Sequence, residues 1–195
     1  MFVAMVSTIS ATLVAGAAEV GKPAPDFSTK DAKGSEVSLA SMKGKVVVLE
    51  WVNHGCPFVV KHYGSNNMQK LQETYTGKGV VWITINSGSE ASKTNLDDAT
   101  FIKMSAEKGS KASHLVSDVS GEIGKSYGAK TTPHMIVIDK EGTLVYTGAI
   151  DSKKSTNAAD IPSSDNYVAK ALDEVLAGKA VTTAKTEPYG CSVKY

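Results

Sequence analysis

The order of apolar and polar positions divides the chain into strand-like and helix-like stretches. Residues 46–52 and 80–85 are nearly unbroken runs of apolar and β-branched side chains. They lack the polar alternation of a half-solvated strand, so both predict strands buried on two faces of a sheet, with Trp82 in the core. Between them a helix is predicted over about residues 57–75, with Phe58, Met68, Leu71 and Tyr75 as core contacts and Gly77-Lys78-Gly79 as its stop. Upstream, Pro23 and Pro25 favour extended chain, and the turn Asp31-Ala32-Lys33-Gly34 leads into a short alternating strand at residues 35–39. That section reads as an exposed hairpin leading into the core.

Downstream the pattern predicts a polar loop at residues 86–92 and a helix at 96–107. A short strand at 114–116 and a short helix at 122–127 follow. Residues 134–139 and 143–148 then pair across the turn Glu141-Gly142. A loop at 151–163, a last helix at 166–176 and an extended tail from Lys179 to Tyr195 complete the chain. Strands alternating with helices, then a hairpin and a final helix, predict an α/β domain: a central mixed sheet with helices on both faces.

Composition narrows the function classes. A chain of 195 residues, 42% hydrophobic and 21% charged, suits one soluble domain. A formal net charge of +1, with lysines scattered, offers no electrostatic case for nucleic acid or an anionic membrane. Residues 1–18 carry no charged side chain and end in small residues, with Ala15-Gly16-Ala17 in the small-x-small form of a cleavage site. The expected division is therefore a secretory signal at 1–18, a domain at 19–178 and a tail at 179–195. Localisation would be periplasmic or extracellular, with no membrane segment in the mature form. The chain has two cysteines, Cys56 and Cys191, which an oxidising compartment would allow to pair.

The chemistry centres on Asn53-His54-Gly55-Cys56-Pro57. Proline is favoured at the first helical position, which puts Cys56 at a helix start just beyond a strand. Unpaired N–H groups and the helix dipole there favour the thiolate and can lower a cysteine pKa from about 8.5 to roughly 3.5–7.5. The bland alternative is a small buried residue beneath the helix.

Four stretches together resemble the thioredoxin fold, in its redoxin branch with alkyl hydroperoxide reductase and thiol-specific antioxidant proteins. They are Gly21-Lys22-Pro23-Ala24-Pro25-Asp26-Phe27, the strand and helix around Cys56, Thr132-Pro133 before a strand, and Asp139-Lys140-Glu141-Gly142. Asn53-His54-Gly55-Cys56-Pro57-Phe58-Val59 and the terminal Gly190-Cys191-Ser192-Val193-Lys194-Tyr195 further resemble a peroxiredoxin-like subgroup. The resemblance implies a thioredoxin-like fold with an N-terminal hairpin, and a cis proline at Pro133 against the reactive Cys56. It also implies a peroxide or disulfide substrate and an external thiol reductant such as a thioredoxin-like partner, with no cofactor.

Two departures qualify it. Val59 stands where a Cys-x-x-Cys protein has its second cysteine. Leu49 and Asn53 stand where a peroxiredoxin has Pro and Thr or Ser. Asn53, Lys61 or His134 are candidates to supply the missing donors, with Lys61 about a turn along the helix from Cys56. Cys191 is the candidate resolving cysteine, against a permanent staple for the tail. Two other readings stay open. One is a copper- or zinc-binding accessory protein using His54, Cys56 and His134, with His62 nearby. The other is a disulfide-stapled binding module without catalysis.

Overall fold

A computed structural model describes residues 18–195; the expected signal, apart from Ala18, lies outside the described residues. The first section is a two-stranded antiparallel hairpin, β1 (Ser28–Lys30) and β2 (Glu36–Ser38). The central sheet contains β3 (Val47–Trp51), β4 (Val81–Ser87), β5 (His114–Asp118), β7 (His134–Ile138) and β8 (Leu144–Gly148). Its order is β5-β4-β3-β7-β8, parallel from β5 to β3 and antiparallel from β3 to β8. The two unbroken apolar runs are neighbours in the middle, as burial on both faces requires.

One face buries Val46, Val48, Trp82, Met135 and Val137 beneath α1 (Pro57–Gly64), α2 (Asn67–Thr76), α3 (Asp98–Glu107) and α5 (Tyr167–Leu176). The other buries Leu49, Trp51, Ile83, Ile85 and Ile136 beneath the hairpin and α4 (Glu122–Ser126). Tyr127 closes that second face, with its hydroxyl donating to Pro25 O at 2.6 Å. Tyr127→Phe deletes one buried hydrogen bond without a cavity and should cost about 1 kcal/mol, read from urea unfolding.

The helix expected over 57–75 is two helices. Asn66 adopts φ +61, the left-handed region that Asn tolerates, and the Ser65 hydroxyl turns back to Lys61 O at 2.7 Å. Gly64-Ser65-Asn66 is a turn signal that the hydrophobic spacing obscured. Phe58 is only partly buried, whereas Met68, Leu71 and Tyr75 are in the core.

The β3 run contains one charged residue, Glu50, and it is fully buried. Tyr63 Oη, Gln72 Nε2, Trp82 Nε1 and Thr84 Oγ1 donate to its carboxyl group at 2.8–3.1 Å. Desolvation outweighs these donors and raises the Glu50 pKa. The network ties α1 and α2 to the sheet directly beneath the cysteine loop.

The tail does more than lie over the surface. Thr147 N donates to Ala184 O and Thr186 N to Thr147 O, so the tail adds to the edge of β8. It then forms β9 (Cys191–Ser192), antiparallel to β6 (Thr131–Thr132). Tyr195, the last residue, donates to Ala129 O at 2.7 Å.

Candidate active site

Cys56 caps the N-terminus of α1, with Pro57 at the first helical position. Its side chain is 1% exposed. The loop before it is shaped by Asn53, whose carbonyl accepts from Cys56 N and whose side-chain Oδ1 accepts from Gly55 N, both at 2.9 Å. Asn53 therefore builds the turn that presents the thiol.

Across from the cap, the Thr132–Pro133 peptide bond is cis. The Cys56 thiol donates to Thr132 O at 3.1 Å. Register pairing places Cys191 opposite Thr132, and Cys191 N donates to Cys56 Sγ at 3.4 Å. Both cysteines are free thiols. Two cysteines 135 positions apart thus meet at one sulfur.

Their acidities diverge. Burial acts to raise the Cys56 pKa, but the Cys191 thiol, the Val59 and Cys191 backbone N–H groups and Thr132 outweigh it, and Cys56 is lowered. The Val59 contribution is the helix-start effect that the sequence led us to expect. Cys191 is pushed up to about 11 by burial, by donating to Cys56 and by the charge on that sulfur, against a smaller opposing effect of Lys194. Cys56 is the more acidic thiol of the pair and Cys191 the less acidic.

Lys61, a candidate for stabilising the thiolate, is committed elsewhere. It is 3% exposed, donates to Asp151 Oδ2 at 3.2 Å and to Lys153 O at 2.9 Å, and is not among the groups that shift Cys56. Asp151 also accepts from Tyr189 Oη in the tail and lies 3.9 Å from His62 Nε2. No sequence signal joined positions 61, 62, 151 and 189, which only the fold brings together.

The histidines do not converge on Cys56. His134 Nδ1 accepts from Lys130 N at 3.2 Å and its Nε2 bonds Thr147 Oγ1 at 3.0 Å. His54 Nε2 bonds Ser105 Oγ at 3.0 Å, with its ring against Tyr63 and Phe101. Among the described residues no three His, Cys, Asp or Glu side chains are grouped to hold a metal. The three metal candidates His54, Cys56 and His134 are thus not grouped, and His54 and His134 are bonded within the core. Nor is His134 a donor to the site, since both of its nitrogens are taken.

A strand-loop-helix unit with a cysteine of lowered pKa at the helix start, facing a cis-proline loop, defines a thioredoxin-like thiol protein. The chain belongs to the redoxin family, whose model matches residues 19–167. It is 32% identical over 127 residues to the thiol-disulfide oxidoreductase ResA of Bacillus thuringiensis, covering 65% of this chain and 68% of that protein. A conserved protein from Geobacillus kaustophilus superposes with a TM-score of 0.76 at 27% identity, over 91% of this chain and 92% of that one. A protein assigned as the thiol:disulfide interchange protein DsbE of Chlorobium tepidum superposes with a TM-score of 0.52 at 26% identity, over 67% and 85%. The α/β thioredoxin-like architecture expected from the sequence is the one present.

Proposed function

We infer that this protein is a thiol-disulfide oxidoreductase in which Cys56 attacks and Cys191 resolves. The observation that carries the reading is the paired strand holding Cys191 N 3.4 Å from a Cys56 sulfur whose pKa is lowered. The similarity to relatives with that activity supports it. The Cys56 thiolate attacks one sulfur of a substrate disulfide, forming a mixed disulfide and expelling the other sulfur as a thiolate. Cys191 then loses its proton and attacks Cys56 Sγ, expelling the second substrate thiolate and closing the Cys56–Cys191 bond. The substrate gains two electrons, and an external dithiol later restores the protein.

The order of steps follows from the charges. While Cys56 is a thiolate, it holds the Cys191 proton in place. Once Cys56 is in a neutral mixed disulfide, that repulsion and that hydrogen bond are gone, and Cys191 ionises more readily. Attack by Cys191 is thereby reserved for the intermediate.

The peroxide branch has less support. Leu49 and Asn53 replace the expected Pro and Thr or Ser. The peroxiredoxin-like subgroup motifs, export through residues 1–18 and a thioredoxin-like reductant remain parts of the same proposal.

Pre-reduced protein mixed with a model disulfide, hydrogen peroxide or an organic hydroperoxide, followed by mass spectrometry, tests the reading. With the model disulfide, a Cys56–Cys191 bond should form faster than free cysteine reacts. Cys191→Ser should stall at a mixed disulfide on Cys56, and Cys56→Ser should form neither. A Cys56 thiol no faster than free cysteine would overturn the function, and rapid oxidation by peroxides alone would transfer it to the peroxidase branch.

A further inference from the structure

The strap that carries Cys191 is anchored two residues earlier by a side chain the redox chemistry does not use. Tyr189 is buried, with its ring edge-on to Phe58 at 5.7 Å and the Lys61 ammonium 5.8 Å from its centroid. Its hydroxyl donates to Asp151 Oδ1. Asp151 is a receiver fixed independently of the tail: Lys61 Nζ, Lys153 N and Ser164 Oγ donate to its carboxylate at 3.0–3.3 Å. Phe58 and Lys61 belong to α1, the helix whose first turn Cys56 caps. The anchor and the thiol therefore share one rigid element.

We propose that Tyr189, bonded to Asp151 and through it to Lys61, is the latch that positions Cys191 over Cys56 and closes that thiol to solvent. The proposal rests on the oxidoreductase reading and adds its second-step positioning residue and its gate. With the latch engaged, Cys56 is 1% exposed and its sulfur lies between Thr132 O and Cys191 N. A substrate disulfide reaches Cys56 when the strap lifts, and the strap must return for Cys191 to resolve the intermediate. The latch thus acts with opposite sign on the two steps, slowing access and speeding closure. It also acts on acidity, because lifting the strap removes the Cys191 donors that favour the Cys56 thiolate.

Tyr189→Phe tests this, since it keeps the ring on Phe58 and deletes only the hydroxyl. Two rates are measured on full-length reduced protein. One is alkylation of Cys56 by iodoacetamide across pH, and the other is closure of the Cys56–Cys191 bond after mixing with oxidised glutathione. Losing a hydrogen bond to a charged acceptor should make the plateau alkylation about tenfold faster and closure about tenfold slower. The alkylation midpoint should also move to higher pH. Tyr127→Phe, which loses a buried tyrosine hydrogen bond on the opposite face of the sheet, should leave both rates within about twofold.

Unchanged rates in Tyr189→Phe would overturn the latch, as would faster alkylation without slower closure. Equal changes in Tyr127→Phe would overturn it too, by attributing the effect to general loosening. If the wild-type protein forms no Cys56–Cys191 bond with oxidised glutathione, the oxidoreductase reading fails instead, while alkylation still reports on the latch.

Discussion

Gly190→Ala should slow closure of the Cys56–Cys191 disulfide by roughly 100-fold while the first attack by Cys56 persists. Gly190 has φ +145, a conformation that residues with a Cβ rarely adopt. A Cβ built there would strike the Thr132 carbonyl, the same group that accepts from the Cys56 thiol. Relief requires the strap to move away from β6, and the Thr132–Cys191 pairing is what aims one sulfur at the other. A displacement of about 1 Å at a reacting atom is enough for a loss of that size. The measurement is quenched-flow mass spectrometry after mixing reduced protein with a model disulfide, in which the mixed disulfide on Cys56 should accumulate. Gly142→Ala provides the comparison, because Gly142 has φ +84 with nothing within 4 Å of its would-be Cβ. It should be strained by about 1 kcal/mol yet close normally. Closure in Gly190→Ala within twofold of wild type would show that β9 does not set the geometry.

Acid should unfold the protein steeply, with stability falling on the order of 3 kcal/mol between pH 6.5 and 5. His54 and His134 are buried, and desolvation first, then Lys108 and Lys130 respectively, holds each pKa down to about 4. His62 is lowered as well, by desolvation and Lys61 against the opposing pull of Asp151. A depressed folded pKa means that the native state binds fewer protons than the unfolded chain below about 6.5. Stability from these groups is therefore complete above that pH and lost as the pH falls towards 4. Each contributes a slope of up to about 1.4 kcal/mol per pH unit. Glu50 has the opposite sign. Its raised pKa means that acidification favours the native state through it and offsets part of the loss from the histidines.

His134 makes the physical cause concrete, since protonating Nδ1 would set a donor against the Lys130 N–H that it now accepts. Urea midpoints at pH 7, 6 and 5 read the slope, and His134→Gln should flatten it by about one proton whatever its effect at pH 7. Equal midpoints at pH 7 and 5 would show that these imidazoles are not held neutral.

Much of this was legible in the chain because it depends on local chemistry. The runs ending at Val52 and Ile85 announced central strands because both their faces are apolar. Cys56-Pro57 announced a helix cap, because proline belongs where an N–H has no partner. The motif resemblance expected a cis Pro133 against Cys56; the Thr132–Pro133 bond is cis, and Thr132 O accepts from the Cys56 thiol. What misled was spacing applied across a turn: Phe58 to Tyr75 was read as one helix although Gly64-Ser65-Asn66 breaks it. Lys61 misled for another reason, since proximity along a helix says nothing about which way a long side chain runs once a buried carboxylate competes for it.

By itself, then, the sequence determined the sheet, the helix start at Cys56 and the lack of a local dithiol at Val59, all of which follow from residue type and short spacing. Tertiary structure alone decided that Cys191 lies on Cys56, that Tyr189 bonds Asp151, and that His54 and His134 are hydrogen-bonded within the core. These depend on contacts between residues far apart in the chain, such as Thr132 with Cys191 and Lys61 with Asp151. Only the closing of the β6–β9 pair and the burial of the Asp151 carboxylate give them a partner and an energy.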